Sequence, residues 1–279
     1  MMFKEFNNGV KIPMLGYGVF RVEDGNVCTD AVKCALEAGY RHIDTAAAYR
    51  NEESVGKAIR ESGIPRSDLF ITTKISNPAQ RERDVEAAFS KSLDQLGTDY
   101  VDLYIIHWPV KEHYIDTWLE MEKIYKSGRA KAIGVSNFQI HHLEELEKVW
   151  SMVPALNQIE MHPRHSQKAL IKYCIEKGIA PQSWSPLGGS WESGGLRDSL
   201  LDNETIISIG KKYGKSAAQV ILRWNMDLGI ITIPKSVTPA RIKENFNIFD
   251  FVLTKDDIEA IDGLNKDARI GPDPDNFTF

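Results

Sequence analysis

Two side chains that can exchange protons lie close together in the stretch HIDTAAAYR, residues 42–50. They are the carboxylate of Asp44 and the phenol of Tyr49, and two further such groups close later apolar runs, Lys74 in FITTK and His107 in LYIIHWP. The set contains an acid, a phenol, an amine and an imidazole, each at or just after the end of a predicted strand. Taken singly, each residue is also compatible with a strand-end hydrogen bond or a solvated surface group.

These four groups suit proton transfer to a polarised oxygen. A phenol has an unperturbed pKa of about 10, so Tyr49 is a poor acid at neutral pH unless a neighbouring ammonium stabilises its phenolate and lowers that pKa. Lys74, if buried, needs Asp44 as an ionic partner. The three residues together predict a tuned general acid, and His107 is predicted to donate a second hydrogen bond to the same substrate oxygen. Reduction of a carbonyl group fits this set if a hydride donor binds beside it.

The second half of the chain carries side chains suited to such a donor. Trp184 ends a later apolar run, where its ring could stack on a flat heterocycle, although a core tryptophan is the alternative interpretation. Hydrogen-bonding partners for a carboxamide close other runs, namely Ser136, Asn137 and Gln158. The Gly- and Ser-rich stretch SPLGGSWESGG, residues 185–195, is predicted to form a lid over the cofactor.

The stretch PKSVTPARIKEN predicts a phosphate site. Thr238 followed by Pro239 is typical of an N-cap and the first position of a helix. A helix N-terminus favours an anion, and Lys235, Ser236 and Arg241 add donors around it. An arginine at such a site suits a 2′-phosphate, which favours NADP over NAD. A solvated basic helix start is the alternative interpretation.

A barrel would bring these strand-end residues together. Eight short apolar runs alternate with helical patterns along the 279 residues, with no linker between them, which predicts one domain over 1–279 with a parallel sheet. Eight such units predict a closed (β/α)8 TIM barrel, whose active site lies at the C-terminal ends of the strands. An open doubly wound sheet is the alternative, disfavoured because no strand is followed by GxGxxG. Asn8-Gly9 predicts an initial two-residue hairpin turn, and LTKDDIEAIDGL predicts an extra C-terminal helix.

Composition excludes several classes of function. The net charge of −5 provides no basic surface for nucleic acid or an anionic membrane. No apolar run could cross a bilayer and no signal peptide is visible, so a cytoplasmic protein with a small-molecule partner is expected. The three cysteines have no metal-binding spacing, and there is no HExxH motif, so no metal site is expected.

Several stretches resemble the aldo-keto reductases, and the match covers essentially the whole chain. They are HIDTAAAYRNEESVGKAI, LFITTK, DYVDLYIIHWP, AIGVSNF, NQIEMHP, SWSPLG and IPKSVTPARIKEN. The resemblance implies a monomeric (β/α)8 barrel with the N-terminal hairpin closing its bottom and NADPH bound without a Rossmann domain. It further implies that Asp44, Tyr49, Lys74 and His107 are the catalytic tetrad, with Tyr49 as the proton donor.

The resemblance also implies binding residues. For the carboxamide and ring of the nicotinamide they are Ser136, Asn137, Gln158 and Trp184; for the pyrophosphate, Ser185 and Leu187; for the adenosine phosphate, Lys235, Ser236, Val237, Thr238, Arg241 and Asn245. Phe20, Tyr49, His107 and Trp108 would line the substrate pocket; Phe20 stands where the mammalian sugar and aldehyde reductases carry Trp. The short tail GPDPDNF resembles the microbial and protozoan branch, which includes 2,5-diketogluconate reductases, methylglyoxal reductases and prostaglandin F synthases, and it implies an open, permissive pocket.

Two other functions stay open at this point. A nucleotide-sensing binding protein could use the same fold, although the complete tetrad disfavours it. A barrel hydrolase would need a second strand-end carboxylate, for which Glu160 is the candidate. The residues do not select one carbonyl substrate among small aldehydes and ketones, dicarbonyls such as methylglyoxal, and keto-sugars.

Overall fold

Eight parallel strands form the central sheet of the computed structural model, which describes residues 1–189 and 199–279. Each of these strands, β3 to β10, pairs with its neighbour in chain order, and two shorter strands form a separate antiparallel pair. The strands are β1 (Phe3–Glu5), β2 (Lys11–Pro13), β3 (Tyr17–Gly18), β4 (His42–Asp44), β5 (Phe70–Ile75), β6 (Leu103–Ile106), β7 (Ile133–Ser136), β8 (Leu156–Glu160), β9 (Ala180–Trp184) and β10 (Ile231–Thr232).

The sheet closes into a barrel through backbone hydrogen bonds between its first and last strands. Thr232 donates its N–H to the Met14 carbonyl and accepts the N–H of Gly16, both at 2.9 Å. One step further along, the Gly18 N–H donates to the Pro234 carbonyl at 3.1 Å. The predicted (β/α)8 barrel is therefore confirmed, and its strand ends share one face.

Helices cover the outside of the barrel. They are α1 (Asn26–Ala38), α2 (Glu52–Glu61), α3 (Asn77–Glu82), α4 (Val85–Leu96), α5 (Tyr114–Lys126), α6 (Ile140–Glu147), α7 (Lys168–Glu176), α8 (Glu204–Tyr213), α9 (Ala217–Asp227), α10 (Pro239–Phe246) and α11 (Lys255–Asp262). Arg83 has a left-handed backbone (φ 56°) that separates α3 from α4. None of the helices in the described ranges is long and apolar enough to span a bilayer.

The N-terminal hairpin closes the bottom of the barrel. Its side chains Phe6 and Ile12 are buried among residues at the beginnings of the strands: Phe70, Leu103, Ala132, Leu156, Ala180 and Ile231. The turn differs from the predicted two-residue form. The Gly9 N–H donates to the Phe6 carbonyl, and Gly9 is the one residue of the turn, residues 7–9, with a positive φ (83°). The turn is therefore a three-residue loop that ends in a left-handed glycine.

The chain leaves the barrel through the predicted extra helix, α11. The side chain of Thr254 caps it by accepting the Asp257 N–H at 3.3 Å, and the Trp224 indole N–H donates to Asp262 at 2.9 Å. The last residues, 265–279, then extend away from this helix and reach the face that carries the strand-end residues. We call this segment the tail.

Candidate active site

A buried ion pair lies at the ends of β4 and β5. The ammonium of Lys74 is 2.5 Å from the carboxylate of Asp44 and donates to the Thr45 carbonyl at 2.9 Å. The side chains of Lys74 and Asp44 are 0% and 2% exposed. Because the strands are parallel and adjacent, their C-terminal ends bring together two charges that each need the other in a water-free environment.

Gln158 completes the coordination of Asp44 from across the barrel. Its amide nitrogen donates to the second carboxylate oxygen of Asp44 at 2.7 Å and to the side-chain oxygen of Gln182 at 2.7 Å. The sequence pattern predicts that Gln158 binds the carboxamide of the cofactor. It does not indicate that Gln158 contacts Asp44 or Gln182. Since both amide hydrogens are used inside the protein, only the Gln158 side-chain oxygen remains as an acceptor for a ligand.

Tyr49 lies directly beside this ion pair. It ends a short 3-10 turn, Ala47–Tyr49, which places its ring centroid 4.9 Å from the Lys74 ammonium. The rings of His107 and Phe20 flank it, with centroids at 5.4 and 5.0 Å. The four predicted proton-handling residues are therefore brought together, with Tyr49 half-buried at the pocket and Asp44 and Lys74 enclosed beneath it.

Burial dominates the acid–base properties of the site. Burial opposes the charge on Lys74, but Asp44 and Tyr49 outweigh it, so the pKa of the Lys74 ammonium is raised. Burial also raises the pKa of Asp44, with Lys74 and Gln158 acting against that rise. The pKa of Tyr49 is raised as well, because burial exceeds the lowering effect of the Lys74 charge. The predicted net lowering of the Tyr49 pKa is therefore wrong.

His107 is held in its neutral form. Burial, followed by the nearby charge of Lys74, keeps the pKa of its imidazole well below the usual value. A neutral imidazole has one N–H to donate, so His107 can serve as a hydrogen-bond donor to an oxygen but not as a cationic acid at neutral pH.

A second hydrogen-bonded group joins the ends of β7 and β9. The Trp184 indole N–H donates to the side-chain oxygen of Asn137 at 2.8 Å. The Asn137 amide in turn donates to the His107 carbonyl at 2.9 Å and to the Ser136 hydroxyl oxygen at 3.1 Å. The Ser136 hydroxyl donates to the Gln158 carbonyl at 2.8 Å. The predicted nicotinamide residues therefore form one connected network beside the tetrad.

The predicted phosphate residues lie around the start of α10. Thr238 is its N-cap without a side-chain cap bond, and Pro239 opens the helix, as predicted. Lys235, Val237 and Arg241 are exposed there, and Asn245 is buried on the same helix.

Ser185 and Leu187 follow β9, where Ser185 has a left-handed backbone (φ 49°) and accepts the Gly188 N–H at 2.9 Å. Residues 190–195 of the predicted lid lie outside the described residues.

The tail forms a wall that the sequence did not indicate. Trp108, predicted to line an open pocket, is only 7% exposed because the rings of Phe277 and Phe279 lie 5.2 and 5.3 Å from it. The Phe279 carbonyl oxygen accepts hydrogen bonds from Asn77 at 3.1 Å and from Arg81 at 2.8 Å. Helix α3 therefore holds the end of the tail, and the pocket is narrower at Trp108 than the sequence predicts.

Two other clusters near the tail have structural explanations. His141, His142 and Asp275 group three potential metal ligands, but the His142 Nδ1 accepts the Gln139 N–H at 3.1 Å and Asp275 pairs with His141 at 2.8 Å. These contacts cap α6 and hold the tail. Glu160, the carboxylate that a barrel hydrolase would need, is 0% exposed and accepts hydrogen bonds from the tail backbone.

Comparison with known proteins gives matches over nearly the full length. The model of the Aldo/keto reductase family matches residues 15–266. Glyoxal reductase of Bacillus subtilis is 53% identical over 275 residues, which cover 99% of this chain and 97% of that protein. Methylglyoxal reductase DkgA of Escherichia coli is 46% identical over 275 residues, with 98% and 97% covered. The crystal structure of a Bombyx mori aldo-keto reductase in complex with NADP is 37% identical, with a TM-score of 0.90 over 98% of this chain and 96% of that chain.

Proposed function

This chain belongs to the aldo/keto reductase family of NADP-dependent oxidoreductases, and we propose that it reduces small dicarbonyl compounds such as methylglyoxal to hydroxycarbonyl products. NADPH, when bound, supplies the hydride for the carbonyl carbon. The single observation that carries the assignment is the buried Lys74–Asp44 pair under the Tyr49 ring, with His107 beside it.

The residues of this chain fit that cofactor. Gln158 retains a side-chain oxygen that can accept from a carboxamide, and Trp184 offers an aromatic ring at the end of the neighbouring strand β9. The uncapped N-terminus of α10 carries backbone donors, and the exposed Lys235 and Arg241 supply positive charge for phosphates. Arg241 has no ion pair among residues 1–189 and 199–279, which leaves its guanidinium free for a 2′-phosphate.

The protein's own groups complete the reduction. The Tyr49 phenol donates its proton to the substrate oxygen as charge develops there, and the Lys74 ammonium stabilises the phenolate that forms. Neutral His107 donates its N–H to the same oxygen. Asp44 keeps Lys74 charged and in place, and Gln158 keeps Asp44 in place.

The pocket wall and the relatives both support the proposed substrate class. Phe20, Tyr49 and Trp108 provide aromatic surface, and Phe277 and Phe279 narrow the space at Trp108. A small dicarbonyl needs little room, whereas a keto-sugar needs both more space and more hydrogen-bonding partners. The names of the Bacillus and Escherichia relatives, glyoxal reductase and methylglyoxal reductase, also support small dicarbonyl substrates.

The test is NADPH oxidation with glyoxal, methylglyoxal and a keto-sugar, ranked by kcat/KM. We expect methylglyoxal or glyoxal to rank first. Tyr49→Phe should keep the NADPH affinity and lose at least about 10²-fold in kcat, the usual scale of a general acid.

The matched control is Tyr100→Phe, because Tyr100 stacks on Lys131 before β6, at the opposite end of the barrel. It should leave kcat unchanged. Tight NADPH binding with no turnover of any carbonyl compound would instead support the nucleotide-sensing alternative, and substantial turnover by Tyr49→Phe would remove Tyr49 as the proton donor.

A further inference from the structure

Glu160 is a buried carboxylate for which the reaction has no use. It ends β8, directly in register with Trp184 at the end of β9. One oxygen accepts the Ile270 N–H at 2.6 Å and lies 3.1 Å from the His162 Nε2, and the other accepts the Gly271 N–H at 2.8 Å. A charge without solvent contact is costly unless it is fully hydrogen-bonded, so these tail N–H groups are what make the carboxylate tolerable there.

Gly271 brings the tail backbone against the Trp184 indole. A Cβ at position 271 would overlap Cη2 of Trp184 and would lie 2.9 Å from the Glu160 carboxylate. The backbone of Gly271 does not have a positive φ, so space alone requires glycine at this position. The tail therefore contacts the six-membered ring of the indole with no room for a side chain.

The other end of the same indole is also fixed. Its N–H donates to Asn137 at 2.8 Å, and Asn137 is bonded to the His107 carbonyl. Trp184 is thus held at its five-membered ring by Asn137 and at its six-membered ring by the tail that Glu160 docks. A tail needed only for stability would not have to touch this ring.

We propose that Glu160 and Gly271 are positioning residues for the nicotinamide: the carboxylate docks the tail, and the docked tail holds the Trp184 indole in the plane on which the ring stacks. The inference rests on the proposed function, in which Trp184 stacks on NADPH. It adds that the tail contributes to cofactor binding although it lies on the substrate side of the pocket, where Phe277 and Phe279 cover Trp108.

The experiment compares Gly271→Ala with Gly263→Ala in the full chain. Gly263 follows α11, outside the predicted binding residues, and a Cβ there would make only ordinary contacts, at 3.4 Å with the Ala260 carbonyl oxygen and 3.5 Å with that of Glu259. Each variant is titrated with NADPH and with adenosine 2′,5′-bisphosphate, which has the phosphate-bearing adenosine end but no nicotinamide. We expect Gly271→Ala to raise the Kd for NADPH by about tenfold or more, the scale of overpacking a buried contact, and to leave the Kd for the bisphosphate unchanged. Gly263→Ala should change neither Kd.

A Gly271→Ala protein that binds both ligands as the wild type does would overturn the proposal. Failure of the proposed function looks different, since it would appear in the wild type itself, either as no binding of NADPH or as binding without turnover of any carbonyl compound. A double-mutant cycle adds a second check: in a Trp184→Ala background the effect of Gly271→Ala should disappear, and an undiminished effect would show that it does not act through Trp184. Should Gly271→Ala not fold, Glu160→Gln takes its place, because it removes one acceptor of the tail without adding bulk. It should weaken NADPH but not the bisphosphate, and equal losses of both would overturn the proposal.

Discussion

Replacing Asp44 by asparagine would test whether the charge of Lys74 controls the reaction. Asp44 accepts from Lys74 at 2.5 Å and from Gln158 at 2.7 Å, and both donors are buried. The asparagine side chain keeps the size but has one oxygen for two donors, and it no longer neutralises the ammonium. Breaking a buried pair in this way costs about 3–5 kcal/mol of unfolding free energy, which corresponds to a decrease in Tm on the order of 10 °C.

The change should also move the alkaline limit of activity. In the wild type, burial opposes the Lys74 charge and Asp44 is the first of the groups that outweigh it, so the pKa of Lys74 is raised. Without the Asp44 charge, desolvation prevails and lowers the pKa of the enclosed Lys74 ammonium. If catalysis needs charged Lys74, activity is present below its pKa and lost above it. The fall in kcat should therefore move from above the usual lysine range toward neutral pH.

The assay is kcat for methylglyoxal reduction against pH, together with thermal unfolding of each protein. Asp102→Asn is the matched control. Asp102 is also buried and paired, with Arg66 at 2.7 Å and Lys131 at 3.0 Å, but it precedes β6 at the opposite end of the barrel. It should lower Tm and leave the pH profile in place. An Asp44→Asn enzyme with the alkaline limit of the wild type would refute the role of the Lys74 charge.

Two further substitutions separate cofactor from substrate contacts. Arg241→Ala should raise the Kd for NADPH by about 10- to 150-fold, the scale of a hydrogen bond to a charged group, and should change the Kd for NADH little. If titrations show the same loss of affinity for both cofactors, the 2′-phosphate contact is contradicted. Phe277→Ala uncovers Trp108 and should increase kcat/KM for a keto-sugar relative to methylglyoxal by about tenfold without changing the Kd for NADPH, whereas an unchanged ratio would show that the tail does not limit substrate size.

The barrel and the proximity of the four proton-handling residues could be predicted because both depend on local patterns. Apolar runs alternating with helical periodicity specify parallel strands, and parallel closure puts every strand end on one face. Asp44, Lys74 and His107 each end or follow such a run, so their proximity follows from topology without knowledge of any side-chain conformation. The cap at Thr238 and Pro239 was equally local and is confirmed.

The contacts that were missed depend on three-dimensional geometry instead. Gln158 reaches Asp44 across the inside of the barrel over 114 positions, and which interior residues meet depends on strand tilt and stagger. The tail has no periodicity, and its main contact with Glu160 uses backbone N–H groups, which every residue except proline possesses. The glycine at position 271 could have indicated a close backbone contact, but the sequence alone does not show that Trp184 and Glu160 are the contacting residues.

The raised pKa of Tyr49 changes how the tetrad is understood. The sequence pattern suggests that Lys74 lowers this pKa, but in the structure burial exceeds the effect of the charge. A phenol whose pKa is raised stays protonated at neutral pH, so if Tyr49 is the proton donor, as proposed above, the enzyme carries the proton that the substrate oxygen requires. The Lys74 charge then matters mainly once the proton has left, when the phenolate forms next to an ammonium 4.9 Å from the ring centroid. Stabilisation of the phenolate that increases as the proton leaves lowers the barrier to proton transfer. Stabilisation of a phenolate before the reaction would instead deprotonate Tyr49 and remove the acid. The burial that opposes ionisation of Tyr49 and the ion pair that offsets it are therefore both parts of one acid, and this is why Asp44→Asn should impair turnover through Lys74 without touching the phenol.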